Sequence, residues 1–314
     1  MKYLIGVDVG GMSVKIGLVN DLGQLIDKKV FETEFDPHVM AKIIADDVFD
    51  LLKNNDIKQS DLLGIGVGVP GTVDAHLGEI DFCDNLHWSK IPFVKLLNKY
   101  IDTHVVLGND ANAAVLGELK FGSAKQFSNV VMITLGTGVG GGIVIDGKVY
   151  EGVEGKAAEI GHMTLYKGGE QCTCGRKGCF ERYASATALI ASAKKAMLED
   201  KNSLMWEYVK GDLDAVDGKV PFECSKKGDS AAIKVIDEYV SNLSEGMISL
   251  MNIFRPETII LGGGVSHAGE YLLNKVIDYC EKEDYGYKNA PKTKILIAEL
   301  GNNAGIIGAA ALAL

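Results

Sequence analysis

One short pattern occurs twice in this chain, and it limits the folds open to it. Residues 3–9 are an apolar, β-rich run that ends at Asp8, Gly10 and Gly11; residues 14–19 read as a second strand. Asn20-Asp21-Leu22-Gly23 then turns into a third strand at 24–31. The same order returns with a strand at 129–135, the glycine turn Gly136-Thr137-Gly138, a strand at 140–145 and the hairpin turn Asp146-Gly147. Two glycine-tipped hairpins, each opening one part of the chain, imply an internal duplication.

Between the two openings lie an amphipathic helix at 39–53, a buried strand at 63–69, and residues 105–107 leading into Gly108-Asn109-Asp110 and a helix at 111–121. Long helices follow at 185–199 and 231–254, then a strand at 258–261 that breaks at Gly262-Gly263-Gly264. The tail from 305 to 314 is small and apolar, suited to a packed helix. Strands alternating with helices point to an α/β architecture that binds ligands at strand ends. The 314 residues allow about two domains at ~100–200 residues each. We expect a smaller lobe over 1–118, completed by a C-terminal helix at 303–314, and a larger one over 119–302, with a cleft between them.

A formal charge of −10 argues against a nucleic-acid surface, which needs clustered Lys and Arg. No charged leader precedes an apolar core, and no apolar run approaches the ~18 residues of a membrane span. A cytoplasmic protein acting on small molecules is expected. Of six cysteines, Cys172, Cys174 and Cys179 crowd into one segment while Cys83, Cys224 and Cys280 are scattered. In a reducing compartment that clustering suggests metal more than disulfides.

Several motifs can carry chemistry. Asp8-Val9-Gly10-Gly11, with Met12, Ser13 and Lys15, sets a carboxylate and bare backbone at a strand end. Glycine N–H groups there can approach phosphate oxygens, and Asp8 can hold Mg²⁺ through water; an ordinary polar hairpin is the alternative. Gly136-Thr137-Gly138 is a second loop of this sort, and the two together suit a phosphate clamp. Gly262-Gly263-Gly264 follows a buried strand, where a base or ribose can lie against backbone, or where the chain simply turns. Asn109-Asp110 precedes a helix: Asp110 is either its N-cap or the group that accepts the proton of an attacking hydroxyl while Asn109 orients the acceptor.

The sharpest signal is Glu159-Ile160-Gly161-His162, followed by Cys172-Thr173-Cys174 and Gly178-Cys179-Phe180-Glu181. One imidazole and three thiolates make a Cys₃His set for tetrahedral Zn²⁺. With no position left for a metal-bound water, the ion would be structural. Zinc would order a loop too poor in apolar residues to order itself, and would hold Glu159 and Glu181 where they can accept hydrogen bonds from ligand hydroxyls. His162 can present its second ring nitrogen to a hydroxyl while the first binds metal.

Taken together, these residues resemble the ROK family of bacterial sugar kinases and sugar-responsive repressors, along the whole chain. Its most specific part is Glu159-x-Gly-His162 with Cys172-x-Cys174-Gly-x-x-Gly-Cys179-x-Glu181. The resemblance implies an actin-like ATPase fold (a duplicated ribonuclease H-like unit) and an ATP- and Mg²⁺-dependent kinase, with glucose as the favoured substrate. It implies Asp110 as catalytic base, and Asn109, Glu159, His162, Glu181 and the Pro70-Gly71 turn as sugar ligands. ATP phosphates fall at Gly10 to Ser13 and at Thr137-Gly138, with adenosine near Gly262 to Gly264. Zinc falls on His162, Cys172, Cys174 and Cys179, and a homodimer is expected. One departure stands out: the family usually has Thr after the two glycines of the first loop, where this chain has Met12. Ser13 is adjacent and backbone N–H groups do most of the cradling, so kinase activity is expected to persist.

Other readings are a kinase for N-acetylmannosamine, N-acetylglucosamine or a β-glucoside, and a non-catalytic sugar sensor. Asp110, both glycine loops and the full zinc set weigh against the sensor. A repressor is disfavoured because the first strand starts at about Lys2 and the net charge is wrong for DNA.

Overall fold

In the computed structural model, which describes residues 2–286, 289 and 291–314, the first hairpin is β1 (Tyr3–Val9) and β2 (Ser13–Asn20), continued antiparallel by β3 (Leu25–Glu32). Met1, the first residue of the expected smaller lobe, lies outside the described residues. Helix α1 (Pro37–Asn54) returns the chain so that β4 (Leu62–Val69) runs parallel to β1. Three short strands that the periodicity does not reveal come next: β5 (Thr72–Asp74), β6 (Glu79–Cys83) and β7 (Trp88–Ile91). They pair as a separate antiparallel sheet. Helix α2 (Phe93–Leu97) leads to β8 (Val105–Asn109), parallel to β4, and α3 (Asp110–Phe121) starts directly at its end.

The pattern then repeats with β9 (Val130–Leu135), β10 (Val139–Ile145) and β11 (Lys148–Val149). A helical stretch follows: α4 (Glu181–Ala184), α5 (Ala186–Glu199), α6 (Leu204–Tyr208), α7 (Val220–Lys226) and α8 (Ser230–Phe254). Strand β12 (Thr258–Gly262) lies parallel to β9, α9 (Glu270–Glu283) leads to the parallel β13 (Lys294–Ile297), and α10 (Ala304–Leu312) closes the chain. The large sheets have orders β3-β2-β1-β4-β8 and β11-β10-β9-β12-β13: in each, third, second, first, fourth, fifth. The duplication implied by the hairpins therefore extends to the whole sheet.

Contacts divide the chain into two units, Met1–Asn129 with Gly142–Ala158 and Glu299–Leu314, and Val130–Gly141 with Glu159–Ala298. The chain thus crosses from one to the other at Asn129 and again inside β10, against a boundary expected at 118/119. The end of β10 stays with the first unit because it lies close on α3: a Cβ at Gly142 would sit 2.6 Å from Val115.

In the first unit, alternation along β4 decides what packs on each face. Ile65, Val67 and Val69 join Met40, Ile44 and Val48 of α1 in one core, while Gly64, Gly66 and Gly68 leave the opposite face bare. The small-residue helix α10 uses that bareness. A Cβ at Gly66 would lie 1.7 Å from the Ala309 carbonyl oxygen, and one at Gly6 1.8 Å from that of Ile306. Helix α3 packs on α10 equally closely, since a Cβ at Gly308 would meet the Ala113 carbonyl oxygen at 2.2 Å. The pair is locked by Glu118, fully buried, whose carboxylate accepts from the Ser123 amide and hydroxyl and from the amides of Glu299 and Leu300. Helix α3 and the residues at its start are therefore held rigidly against the sheet.

Candidate active site and metal centre

Three parallel strands of the first unit, β1, β4 and β8, end side by side, and each delivers an expected site segment: Asp8 to Ser13, Pro70-Gly71 and Asn109-Asp110. A cavity of ≈ 260 Å³ opens there, lined by Asp8, the loop from Gly10 to Ser13, Lys15, Pro70, Asn85 and Asp110. Lys15 Nζ is 3.1 Å from Asp8 Oδ2, so a cation and a carboxylate stand together beside bare backbone. The first turn of α10 closes on Asp8, where a Cβ at Gly305 would be 2.5 Å from the carboxylate, and a helix N-terminus favours negative charge. Met12 is 89% exposed, and its carbonyl accepts from the Thr33 amide at 3.2 Å. Asn85, which no motif marks, reaches the cavity from a single 3₁₀ turn after β6.

The N-cap of α3 is Asn109, not Asp110. Asn109 Oδ1 accepts from the amides of Ala111 at 2.9 Å and Asn112 at 3.1 Å, while Nδ2 donates to the Gly71 carbonyl at 3.0 Å. Asn109 thereby ties the end of β8 to the turn after β4. Gly71 has φ +107°, and a Cβ there would lie 2.2 Å from the Phe82 carbonyl oxygen, so this turn needs glycine. Asp110 is the first residue of α3; its Oδ1 lies 2.9 Å from the Ala111 amide, and its carboxylate lines the cavity. The capping reading of Asp110 thus passes to its neighbour.

In the second unit the parallel pair β9 and β12 ends in register, Gly262 beside Thr134, so Thr137-Gly138 and Gly262-Gly263-Gly264 issue from adjacent strand ends. The first of these loops sits on the start of α5: the Ala186 amide donates to the Gly136 carbonyl and Thr187 Oγ1 to the Thr137 carbonyl, both at 2.8 Å. Gly263 has φ +79°, and a Cβ there would strike the Leu135 backbone at 2.6 Å.

The same unit gathers the expected metal set. One ligand atom each from His162, Cys172, Cys174 and Cys179 falls within 4.8 Å of every other. Two of its edges are 3.6 Å (Cys174 Sγ to Cys179 Sγ) and 3.8 Å (Cys172 Sγ to His162 Nδ1). A tetrahedron with Zn–S ~2.3 Å and Zn–N ~2.0 Å has edges of about 3.5–3.8 Å, so these two edges are close to it and the donor chemistry fits that ion. Burial and a hydrogen bond to Glu181 push the Cys172 thiol up to about 12, whereas the Arg176 amide lowers that of Cys174. Metal binding would deprotonate both. Arg176 also fixes the imidazole's backbone, donating to the His162 carbonyl at 3.1 Å and to Thr164 Oγ1 at 2.7 Å, a role no motif marks.

Glu181, the first residue of α4, stands between this cluster and the second glycine loop. Its Oε1 is 2.9 Å from Cys172 Sγ and 3.7 Å from His162 Nδ1, while its Oε2 lies 2.8 Å from where a Cβ of Gly138 would be. Glu159, just before the 3₁₀ turn Ile160–His162, is exposed.

Known proteins match this chain over nearly its whole length. The ROK family model covers residues 4–314. The chain belongs to the ROK family. A glucokinase from Halalkalibacterium halodurans is 38% identical over 98% of this chain and 93% of its own length. A xylose repressor from Caldicellulosiruptor bescii is 30% identical over 98% of this chain and 77% of its own length. Among solved structures, a ROK family glucokinase from Streptomyces griseus in complex with glucose and AMPPNP superposes with a TM-score of 0.84 at 32% identity, covering 99% of this chain and 98% of that one. The fold is the actin-like ATPase fold of the ROK kinases. Among the described residues no helix is long and apolar enough to cross a membrane.

Proposed function

We propose that this chain is an ATP-dependent glucokinase that transfers the γ-phosphate of ATP to the 6-hydroxyl of glucose. The observation that carries the reading is the end-to-end match to a ROK glucokinase solved with glucose and AMPPNP, together with Asp110 lining a cavity shared with a glycine loop.

Asp110 takes the proton of the 6-hydroxyl as its oxygen attacks the γ-phosphorus and ADP leaves. Asn109 has one amide hydrogen left after its bond to Gly71, and offers it to a sugar hydroxyl. Glu159, His162 and Glu181 accept or donate to the remaining hydroxyls, with the Pro70-Gly71 turn against the ring. The amides of Gly10 to Ser13, Lys15 and the Thr137-Gly138 loop hold phosphates, and Gly262 to Gly264 give the adenosine a flat backbone surface. Mg²⁺, held through water by Asp8, would neutralise charge on the phosphates.

The Cys₃His cluster is assigned to structural Zn²⁺; its size and donor chemistry support this. Three thiolates in a metal set suit a reducing, cytoplasmic setting. Pairing into a homodimer rests on the family resemblance and is tested by light scattering.

A coupled ADP-release assay with ATP and Mg²⁺ across glucose, mannose, fructose, N-acetylglucosamine, N-acetylmannosamine and cellobiose tests the reading. Glucose should show the highest kcat/KM. A higher value for an N-acetylated sugar would move the assignment to that kinase, and no turnover on any sugar would favour a sensor.

A further inference from the structure

The first glycine loop lacks a side chain that orders it from within, since Met12 points to solvent. Order comes instead from Thr33, the residue after β3. Its hydroxyl donates to the Gly10 carbonyl at 2.6 Å and its amide to the Met12 carbonyl at 3.2 Å. A third bond, from the Gly10 amide to the Ser13 carbonyl at 3.0 Å, closes the base of the loop. No described peptide bond is cis. In a trans peptide the N–H points opposite to the C=O of the same unit. With the Gly10 carbonyl drawn to Thr33, the Gly11 N–H points away from it; with the Met12 carbonyl drawn the same way, so does the Ser13 N–H. Gly10 to Ser13 line the ≈ 260 Å³ cavity, whose wall does not include Thr33.

We propose that Thr33 is the positioning residue of the first phosphate loop: by holding the carbonyls of Gly10 and Met12, it aims the amides of Gly11 and Ser13 at the nucleotide phosphates. It acts from behind the loop and touches neither substrate. The inference rests on the kinase reading for the identity of the phosphate ligand. It also accounts for how a loop with methionine at position 12 keeps its shape, because the ordering hydroxyl is supplied across the hairpin.

The test compares wild type, Thr33→Val and Thr33→Ser. Valine keeps the amide and the shape but removes the bond to Gly10; serine restores the hydroxyl. For Thr33→Val, KM for ATP and the Kd for AMPPNP with Mg²⁺, measured by calorimetry, should each rise about three- to tenfold, the range expected for one lost hydrogen bond. KM for glucose and the melting midpoint should stay near wild type, and Thr33→Ser should recover most of the loss. Unchanged AMPPNP affinity in Thr33→Val would overturn the proposal. So would equal rises in both KM values that serine does not rescue, since that pattern marks a general loss of structure. Failure of the kinase reading would show separately, as a wild type that releases no ADP with any sugar, and the AMPPNP titrations would still decide the role of Thr33.

Discussion

Replacing Asn109 by alanine removes three hydrogen bonds at one point of the first unit. Two of them cap α3, and loss of an Asn cap costs about 1 kcal/mol. The third joins β8 to the Gly71 carbonyl and contributes about 1 kcal/mol. The sum is about 2 kcal/mol, which lowers the melting midpoint by about 4–8 °C for a unit of this size. Asn109→Asp separates the parts: it keeps an acceptor for the cap but sets an oxygen against the Gly71 carbonyl, so its cost should be about half that of alanine. Urea unfolding followed by Trp88 fluorescence reads the first unit, because that indole is buried and donates to the Phe35 carbonyl at 2.7 Å; Trp206→Phe removes the second tryptophan's signal. Both variants should also raise KM for glucose, since the Gly71 turn loses its tie. Stability of Asn109→Ala within about 0.5 kcal/mol of wild type would refute the double role. Asn109→Asp matching wild type in both stability and KM would refute the link to Gly71.

Other expectations follow from the same geometry. Asp110→Asn should lower kcat by about 10²–10⁴-fold while glucose affinity by calorimetry changes less than about threefold; loss of sugar binding together with turnover would make Asp110 an anchor rather than the base. Elemental analysis should find about one zinc per chain in wild type; Cys174→Ala should abolish it and should raise KM for glucose because Glu181 and His162 lose their frame. A wild type purified without zinc, yet fully active, would contradict the metal assignment. Glu118→Ala leaves four donors facing a cavity and should cost about 3 kcal/mol in urea unfolding, with KM values unchanged in the folded fraction. A loss below about 1 kcal/mol would mean that water replaces the carboxylate.

The chemistry of this site was legible where it is local. Glycine loops at strand ends, a carboxylate before a helix and a Cys₃His spacing are each written in a few consecutive residues, and the two hairpins announce the doubled sheet. What escaped the sequence depends on contacts between distant segments. The assignment of the α3 cap to Asn109 follows from the path of β8, because Asn and Asp both serve well as caps. Glu118 reads as an ordinary helical glutamate until residues 299–300 return to it. Residues 63–69 read as a buried strand, but only α10 lying on its alternating glycines explains why side chains are excluded there. Strands β5 to β7 are three to five residues long, too short for alternation to stand out. The division of contacts inside β10 is unmarked for a related reason: the end of β10 lies with α3 through Gly142, a contact that no local composition marks.

The most direct test of the central claim is a ³¹P NMR spectrum of the purified protein with ATP, Mg²⁺ and glucose. The account predicts that the γ-phosphate signal is replaced by one phosphomonoester resonance coupled to the two C6 protons of glucose, in step with the appearance of ADP. Inorganic phosphate as the only product, a monoester at another carbon, or an unchanged ATP spectrum would contradict it.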